Sequence, residues 1–167
     1  MARKDFKFLV KKIQKQSFGI LSTVSPKGWS QTSGVLYGSE FIDNKIKIFI
    51  LTGKNYVKTI NISKNGHISF LIPFTHYWLR MIPSFTIFFQ GYAKIHPCNY
   101  QKGITAHKRK RILKMGLKDL KGEESDSKYV FIEFSPYKRI QVFGVGYSFL
   151  ETVKNPHGLA YSIKIPE

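Results

Sequence analysis

Hydrophobic and polar residues alternate in several segments of the chain, with the period of two that is typical of β-strands that bury one face. Ile46, Ile48 and Ile50, for example, recur at every second position of the segment 45–52. Strands are predicted over 18–24, 29–37, 45–52, 67–74, 83–95, 128–136 and 138–151, with a short last strand over 160–165. The polar segment 39–44 is predicted to be a connection without strand structure.

A helical period of apolar residues interrupts the strands three times. Residues 4–16 predict a short amphipathic helix, and residues 100–121 predict a longer surface helix with a solvated basic face. Between them, residues 55–63 predict a helix that places Tyr56, Val57 and Ile60 on one face, and Asn65-Gly66 is expected to end it as a glycine C-cap.

The order of these elements decides the fold class. A meander of strands with few and short helices favours a mainly β (α+β) antiparallel barrel over a doubly wound α/β sheet. In this scheme the segments 128–136 and 138–151 form a hairpin. The length of 167 residues suits one hydrophobic core, so we expect residues 1–167 to form a single domain.

The composition limits the classes of partner that the protein is expected to bind. The chain has 27 Lys and Arg against 10 Asp and Glu, a net charge of +17 that attracts nucleic acid, anionic surfaces or multiply charged ligands. Cys98 is the single cysteine, so we expect no disulfide, a reducing cytoplasm and, given the scattered histidines, no metal site. The chain has no run of about 20 apolar residues, so we expect no membrane partner.

The segment 50–70 carries the main candidate chemistry. A strand ends at Thr52, and the next helix carries Lys58 in its first turn. The first turn of a helix presents unpaired N–H groups and a partial positive charge, which bind an anion such as a phosphate. A hydroxyl from Thr52 or Thr59 and the ammonium of Lys58 would complete such a site. The alternative is an ordinary helix with a solvated lysine.

Three segments together resemble the FMN-binding split β-barrel superfamily, which is typified by pyridoxamine 5′-phosphate oxidase. They are FGILSTVSPKGWSQTSGVLYG, TGKNYVKTINISKNGHISF and FFQGYAKI, spread over about residues 15–95. The resemblance implies a split barrel, a flavin whose phosphate Lys58 holds, and a homodimer with flavin sites between the protomers. Val57 stands where the oxidases proper have an arginine, and their pyridoxal-phosphate-binding residues are not recognisable. The resemblance therefore implies the cofactor site and not the oxidase activity.

We accordingly expect a small flavin-dependent oxidoreductase or flavin-binding protein with FMN. The flavin performs the electron chemistry, so no catalytic residues are expected. A close alternative is the deazaflavin F420, whose charged tail suits the basic surface. The residues expected to bind the cofactor are Thr32, Ser33, Val35, Thr52, Lys54, Asn55, Lys58, Thr59, Arg80 and Gln90.

Other interpretations stay open. The basic segment 100–121 would suit a cofactor-free barrel that binds RNA or DNA through phosphates, although few aromatic residues look free to stack on bases. Haem handling is a further possibility. The loop residues His76, Tyr77, Trp78 and Arg80 either cover the cofactor or pack at a dimer contact. Gly91 and Ala93 leave space for a cofactor ring or mark a bend of the barrel.

Overall fold

The strands in the described part of the chain form one antiparallel sheet. The computed structural model describes residues 5–74, 84–121 and 125–166. Its strands are β1 (Phe18–Val24), β2 (Ser30–Leu36), β3 (Gly38–Ile42), β4 (Lys45–Gly53), β5 (His67–Phe74), β6 (Phe85–Pro97), β7 (Tyr129–Phe143) and β8 (Ala160–Lys164). Its helices are α1 (Phe6–Lys15), α2 (Val57–Lys64), α3 (Gln101–Lys108), α4 (Arg111–Gly116), α5 (Ser125–Lys128) and α6 (Phe149–Lys154), with 3-10 turns at Leu117–Lys121 and Pro156–Leu159.

The order of the strands is β2-β1-β5-β6-β7-β4-β3, with β8 also paired to β7. The longest described strand, β7, has 15 residues and pairs with β4, β6 and β8. The sheet curls around its apolar face as a split barrel. None of the helices in the described ranges is both long and apolar enough to cross a membrane.

Aromatic rings fill the barrel. Phe70 contacts Tyr37 edge-on at 5.3 Å between ring centres and lies 5.9 Å from Phe134. The amphipathic helix α1 closes one end by burying Leu9 and Ile13, and the Tyr37 hydroxyl donates a hydrogen bond of 2.8 Å to the Ile13 carbonyl. A smaller cluster on the outer face of the sheet holds α3 against β4 and β7 through Phe49, Ala106 and Phe131.

The predicted hairpin over 128–151 is wrong, because 129–143 is one continuous strand. Pro136 lies opposite Gly91 where the register with β6 shifts, so its missing N–H interrupts no regular ladder. The strand ends at Phe143 and is followed by Gly144, whose φ of 74° favours glycine. Ser148 and Glu151 then form a capping box that begins α6 within the range predicted as strand.

Two further predictions are corrected by local geometry. The segment 39–44 contains most of β3, which joins β4 through Asp43 and Asn44 with φ values of 49° and 59°, the left-handed turn that these residues tolerate. The single helix over 100–121 is instead broken at Lys110, whose backbone is extended. The Lys110 ammonium donates to the Gln16 carbonyl and lies 5.2 Å from the centre of the Tyr37 ring, contacts that hold this break against the barrel.

The two glycines singled out in the sequence serve close packing. Gly66 is not a left-handed cap: the helix ends at Lys64 and its C-cap, Asn65, has an extended backbone. A side chain on Gly66 would meet the Tyr92 ring at 2.6 Å. On the core face of β6 no cofactor ring fits beside Gly91, since a side chain there would meet the Ser135 carbonyl and the Phe134 ring. The barrel-bend interpretation of Gly91 is therefore the correct one.

We predict that Gly91→Ala lowers the free energy of unfolding by about 2–3 kcal/mol, because the new methyl group has to displace backbone atoms of β7. Gly116→Ala is the control, since its added carbon would approach only Leu51, at 4.0 Å. That control should leave stability unchanged or raise it by up to about 1 kcal/mol. Urea denaturation compares the two variants, and equal stabilities would contradict the close packing at Gly91.

Candidate functional site

The start of α2 lacks a side-chain cap. The chain leaves β4 at Gly53, whose carbonyl accepts a hydrogen bond of 2.9 Å from the Thr59 hydroxyl, and Tyr56 precedes the helix without capping it. Among the described residues, no acceptor pairs with the backbone N–H groups of Val57 and Lys58. Unpaired N–H groups at a helix start are the donors that anion sites use.

Lys58 adds a positive charge to these donors. Its side chain is half-buried, and its ammonium lies 5.0 Å from the centre of the Tyr56 ring. Burial lowers the pKa of Lys58 below its ordinary value of 10.5. Lys58 takes part in none of the ion pairs among the described residues. An anion bound here would therefore gain a charge-assisted hydrogen bond and offset the desolvation of the lysine.

A cavity of about 570 Å³ lies between the start of α2 and β2. In the described sheet β2 pairs only with β1, so one edge of its backbone remains available to a ligand or a partner. The polar residues of β2 and the start of α2 lie on opposite sides of this cavity. The residues that line it are Thr23, Gln31, Thr32, Ser33, Asn55, Tyr56, Val57 and Lys58.

A buried amide positions the two walls of the cavity. Asn61 of α2 is 2% exposed, and its Nδ2 donates hydrogen bonds to the Thr23 hydroxyl at 3.0 Å and to Gln31 Oε1 at 2.6 Å. On the neighbouring strand positions, the Ser22 and Thr32 hydroxyls share a hydrogen bond of 2.9 Å. These contacts fix the helix start relative to β1 and β2.

The apolar face of α2 points outward. Tyr56, Val57 and Ile60 are 59%, 55% and 47% exposed, whereas the helix buries Thr59, Asn61 and Ile62. The helix therefore packs on the sheet through a mainly polar side. Its exposed apolar residues lie beside the cavity, since Tyr56 and Val57 also line it.

The structure brings some of the predicted cofactor residues together. Thr32, Ser33, Asn55 and Lys58 line the cavity. Val35 is a core residue, and Thr52 and Thr59 are buried. Lys54 is exposed on the turn before α2. Gln90 lines a neighbouring cavity of about 320 Å³ with Thr23, His67 and Tyr137, and Arg80, His76, Tyr77 and Trp78 lie outside the described residues.

Sequence reasoning missed Asn61 and Thr23 as parts of the site. Asn61 sits between Ile60 and Ile62 in the interior of a helix, where asparagine is a poor helix former. A polar residue of this kind often has a specific partner. The asparagine between two isoleucines was therefore the sequence signal that could have identified this part of the site.

Comparisons with known proteins identify the fold. No protein-family model matches the chain, and no curated protein sequence matches it significantly. A provisionally assigned pyridoxamine 5′-phosphate oxidase from Listeria innocua is 18% identical, covers 81% of this chain and 95% of its own, and has a TM-score of 0.58. General Stress Protein 26 from Bacillus anthracis is 20% identical, covers 81% of this chain and 91% of its own, and has a TM-score of 0.58.

The haem storage protein HutZ from Vibrio cholerae is 13% identical, covers 81% of this chain and 93% of its own, and has a TM-score of 0.59. At such identities the likeness shows a shared fold. The antiparallel split barrel predicted from the sequence is confirmed.

We predict that Asn61→Ala lowers the free energy of unfolding by about 1–3 kcal/mol, because the buried Thr23 hydroxyl and Gln31 amide oxygen lose their donor. Ser63→Ala on the same helix is the control: it removes an exposed hydroxyl that donates only to the Ile60 carbonyl. Its effect should stay within about 0.5 kcal/mol. Thermal and urea unfolding report both values, and similar losses in the two variants would contradict the positioning role of Asn61.

Proposed function

We propose that the chain is a flavin-binding protein or small flavin-dependent oxidoreductase that binds FMN. The basis is its split-barrel fold, which it shares with pyridoxamine 5′-phosphate oxidase-like proteins. The observation that carries the proposal is the uncapped start of α2, with the half-buried Lys58 beside a cavity that β2 borders. The phosphate of FMN is the anion that this site would hold.

The start of α2 would bind the phosphate of the cofactor. Backbone N–H groups of Val57 and Lys58 and the Lys58 ammonium would bind its oxygens. Asn55 lines the same part of the cavity and adds an amide donor. A phosphate would also restore the pKa of Lys58 towards its ordinary value, because the nearby negative charge favours the protonated amine.

The edge of β2 would bind the ring of the cofactor. Thr32 and Ser33 line the cavity, and the outer backbone edge of their strand offers hydrogen bonds to the polar rim of an isoalloxazine ring. The flavin would supply the electron transfer, while these residues bind it and orient it. F420 presents a similar ring and a phosphate, so the same site serves the alternative cofactor.

A homodimer would cover the exposed face of α2. Tyr56, Val57 and Ile60 form an apolar surface next to the cavity, and burying such side chains against a second copy is favourable. A second protomer in this position would also shield the flavin from water. The dimer is thus part of the same proposal.

Haem is the second candidate cofactor. The likeness to the haem storage protein HutZ favours it, and His67, which lines the neighbouring cavity and whose Nδ1 forms a hydrogen bond of 2.5 Å with the Tyr137 hydroxyl, would supply an imidazole. The visible spectrum of the purified protein distinguishes the candidates, because haem, FMN and F420 absorb differently. Apo protein would then be titrated with each cofactor in turn.

We predict that Lys58→Ala weakens FMN binding by about 10- to 100-fold, because the phosphate loses a charge-assisted hydrogen bond. Riboflavin, which has no phosphate, should bind the wild type and the variant equally. Lys64→Ala, at the other end of the same helix, is the matched control and should leave both affinities unchanged. Fluorescence titration measures all of them, and equal losses for FMN and riboflavin would argue against a phosphate at Lys58.

We further predict that Ile60→Asp converts a dimer into a monomer, because it places a carboxylate in the apolar contact. Leu150→Asp is the control, since Leu150 is also an exposed apolar residue, at 66%, but lies on α6. Sedimentation velocity at micromolar concentration measures the mass. A monomeric wild type, or a dimer that survives Ile60→Asp, would rule out this interface.

A further inference from the structure

The segment from α3 to the following 3-10 turn carries much of the protein's charge. Residues 101–121 contain eight Lys and Arg but one acid, Asp119, a local charge of +7 out of +17. The only ion pair of this segment among the described residues joins Arg109 to Glu40 at 3.2 Å. The exposed cations Lys102, Lys108, Arg111, Lys114 and Lys118 are called the basic surface below.

Two apolar side chains protrude within this basic surface. Ile112 is 53% exposed and Met115 is 66% exposed, although both belong to the short helix α4 that has Leu113 buried at 3%. At 100° per residue, Met115 and Arg111 point away from the side that Leu113 buries. The outermost ridge of α4 thus combines an apolar and a cationic side chain.

The barrel holds this ridge in place. A side chain on Gly103 of α3 would meet the Phe131 ring at 2.6 Å, so helix and sheet are in close contact there. Ala106 is buried in the same cluster, and the Lys110 ammonium donates to the Gln16 carbonyl. The exposed residues of α4 therefore belong to a segment that is packed against the barrel.

We propose that the basic surface binds the face of an anionic lipid bilayer, with Ile112 and Met115 inserted among the headgroups. Cations attract acidic lipids, and apolar side chains that protrude between them gain from transfer into the interfacial region. Binding to a membrane face requires no crossing segment. The proposal therefore revises the expectation of no membrane partner, which rested on the missing transmembrane run.

The observations favour a bilayer over nucleic acid. Phosphate binding to RNA or DNA uses the cations alone and leaves Ile112 and Met115 without a role. Binding of single strands also uses exposed aromatic rings for stacking, and the described segment 101–121 contains no aromatic residue besides the buried His107. The apolar pair is thus the feature that selects the partner.

The test is flotation of the intact protein with vesicles. Binding is expected to vesicles that contain phosphatidylserine and not to pure phosphatidylcholine, and it should weaken strongly as salt rises from about 0.1 M to about 0.5 M. The double variant Ile112→Ser with Met115→Ser should weaken binding by at least about fivefold. The triple variant Arg111→Gln, Lys114→Gln and Lys118→Gln should weaken it at least as much.

Matched controls locate the surface. Leu150→Ser removes an apolar side chain of equal exposed fraction, 66%, from α6, and the triple variant Lys27→Gln, Lys64→Gln and Lys94→Gln removes the same number of exposed charges elsewhere. Both should bind vesicles like the wild type. The proposal is overturned if the controls weaken binding equally, if no vesicle is bound, or if RNA binds more tightly and the Ile112 and Met115 variant binds RNA normally. Circular dichroism verifies that each variant is folded.

Discussion

The close approach of β6 and β7 at Gly91 is the contact on which the shape of the barrel depends. Here the two backbones come so near that no side chain fits, and the register between the strands shifts. A shift of this kind sharpens the bend and twist of a sheet. Before this point, residues 129–134 of β7 pair with β4. After it, residues 139–143 of β7 pair with β8, so one strand belongs to both parts of the sheet.

The walls of the candidate site come from two separate segments of the chain, β2 and the start of α2. The strand β2 supplies Thr32 and Ser33, the turn after β4 supplies Asn55, and the first turn of α2 supplies Lys58. The buried amide of Asn61 sets the distance between them. Polar packing of this kind leaves the apolar face of α2 for another contact, which is why the helix has its unusual orientation.

The strands and the start of α2 were predictable because their causes are local. Alternation of residues such as Ile46 and Ile48 defines a strand with one buried face, and Lys58 in a first turn defines a candidate anion site. The failures have distant causes. Pro136 lies within a strand because Gly91 stands opposite, and Lys110 breaks a helix where it contacts Gln16. Asn61, which sequence reasoning missed, likewise depends on distant partners, which are 38 and 30 residues away.

The position of β7 in the chain has a consequence for synthesis on the ribosome. Before residues 129–143 emerge, the described strands can form only two separate groups, β2-β1-β5-β6 and β4-β3. Each group has an open edge of apolar strand, and such edges pair readily with other chains. The barrel therefore closes only when residues 129–143 are available, and until then both groups keep an edge that can pair with another chain.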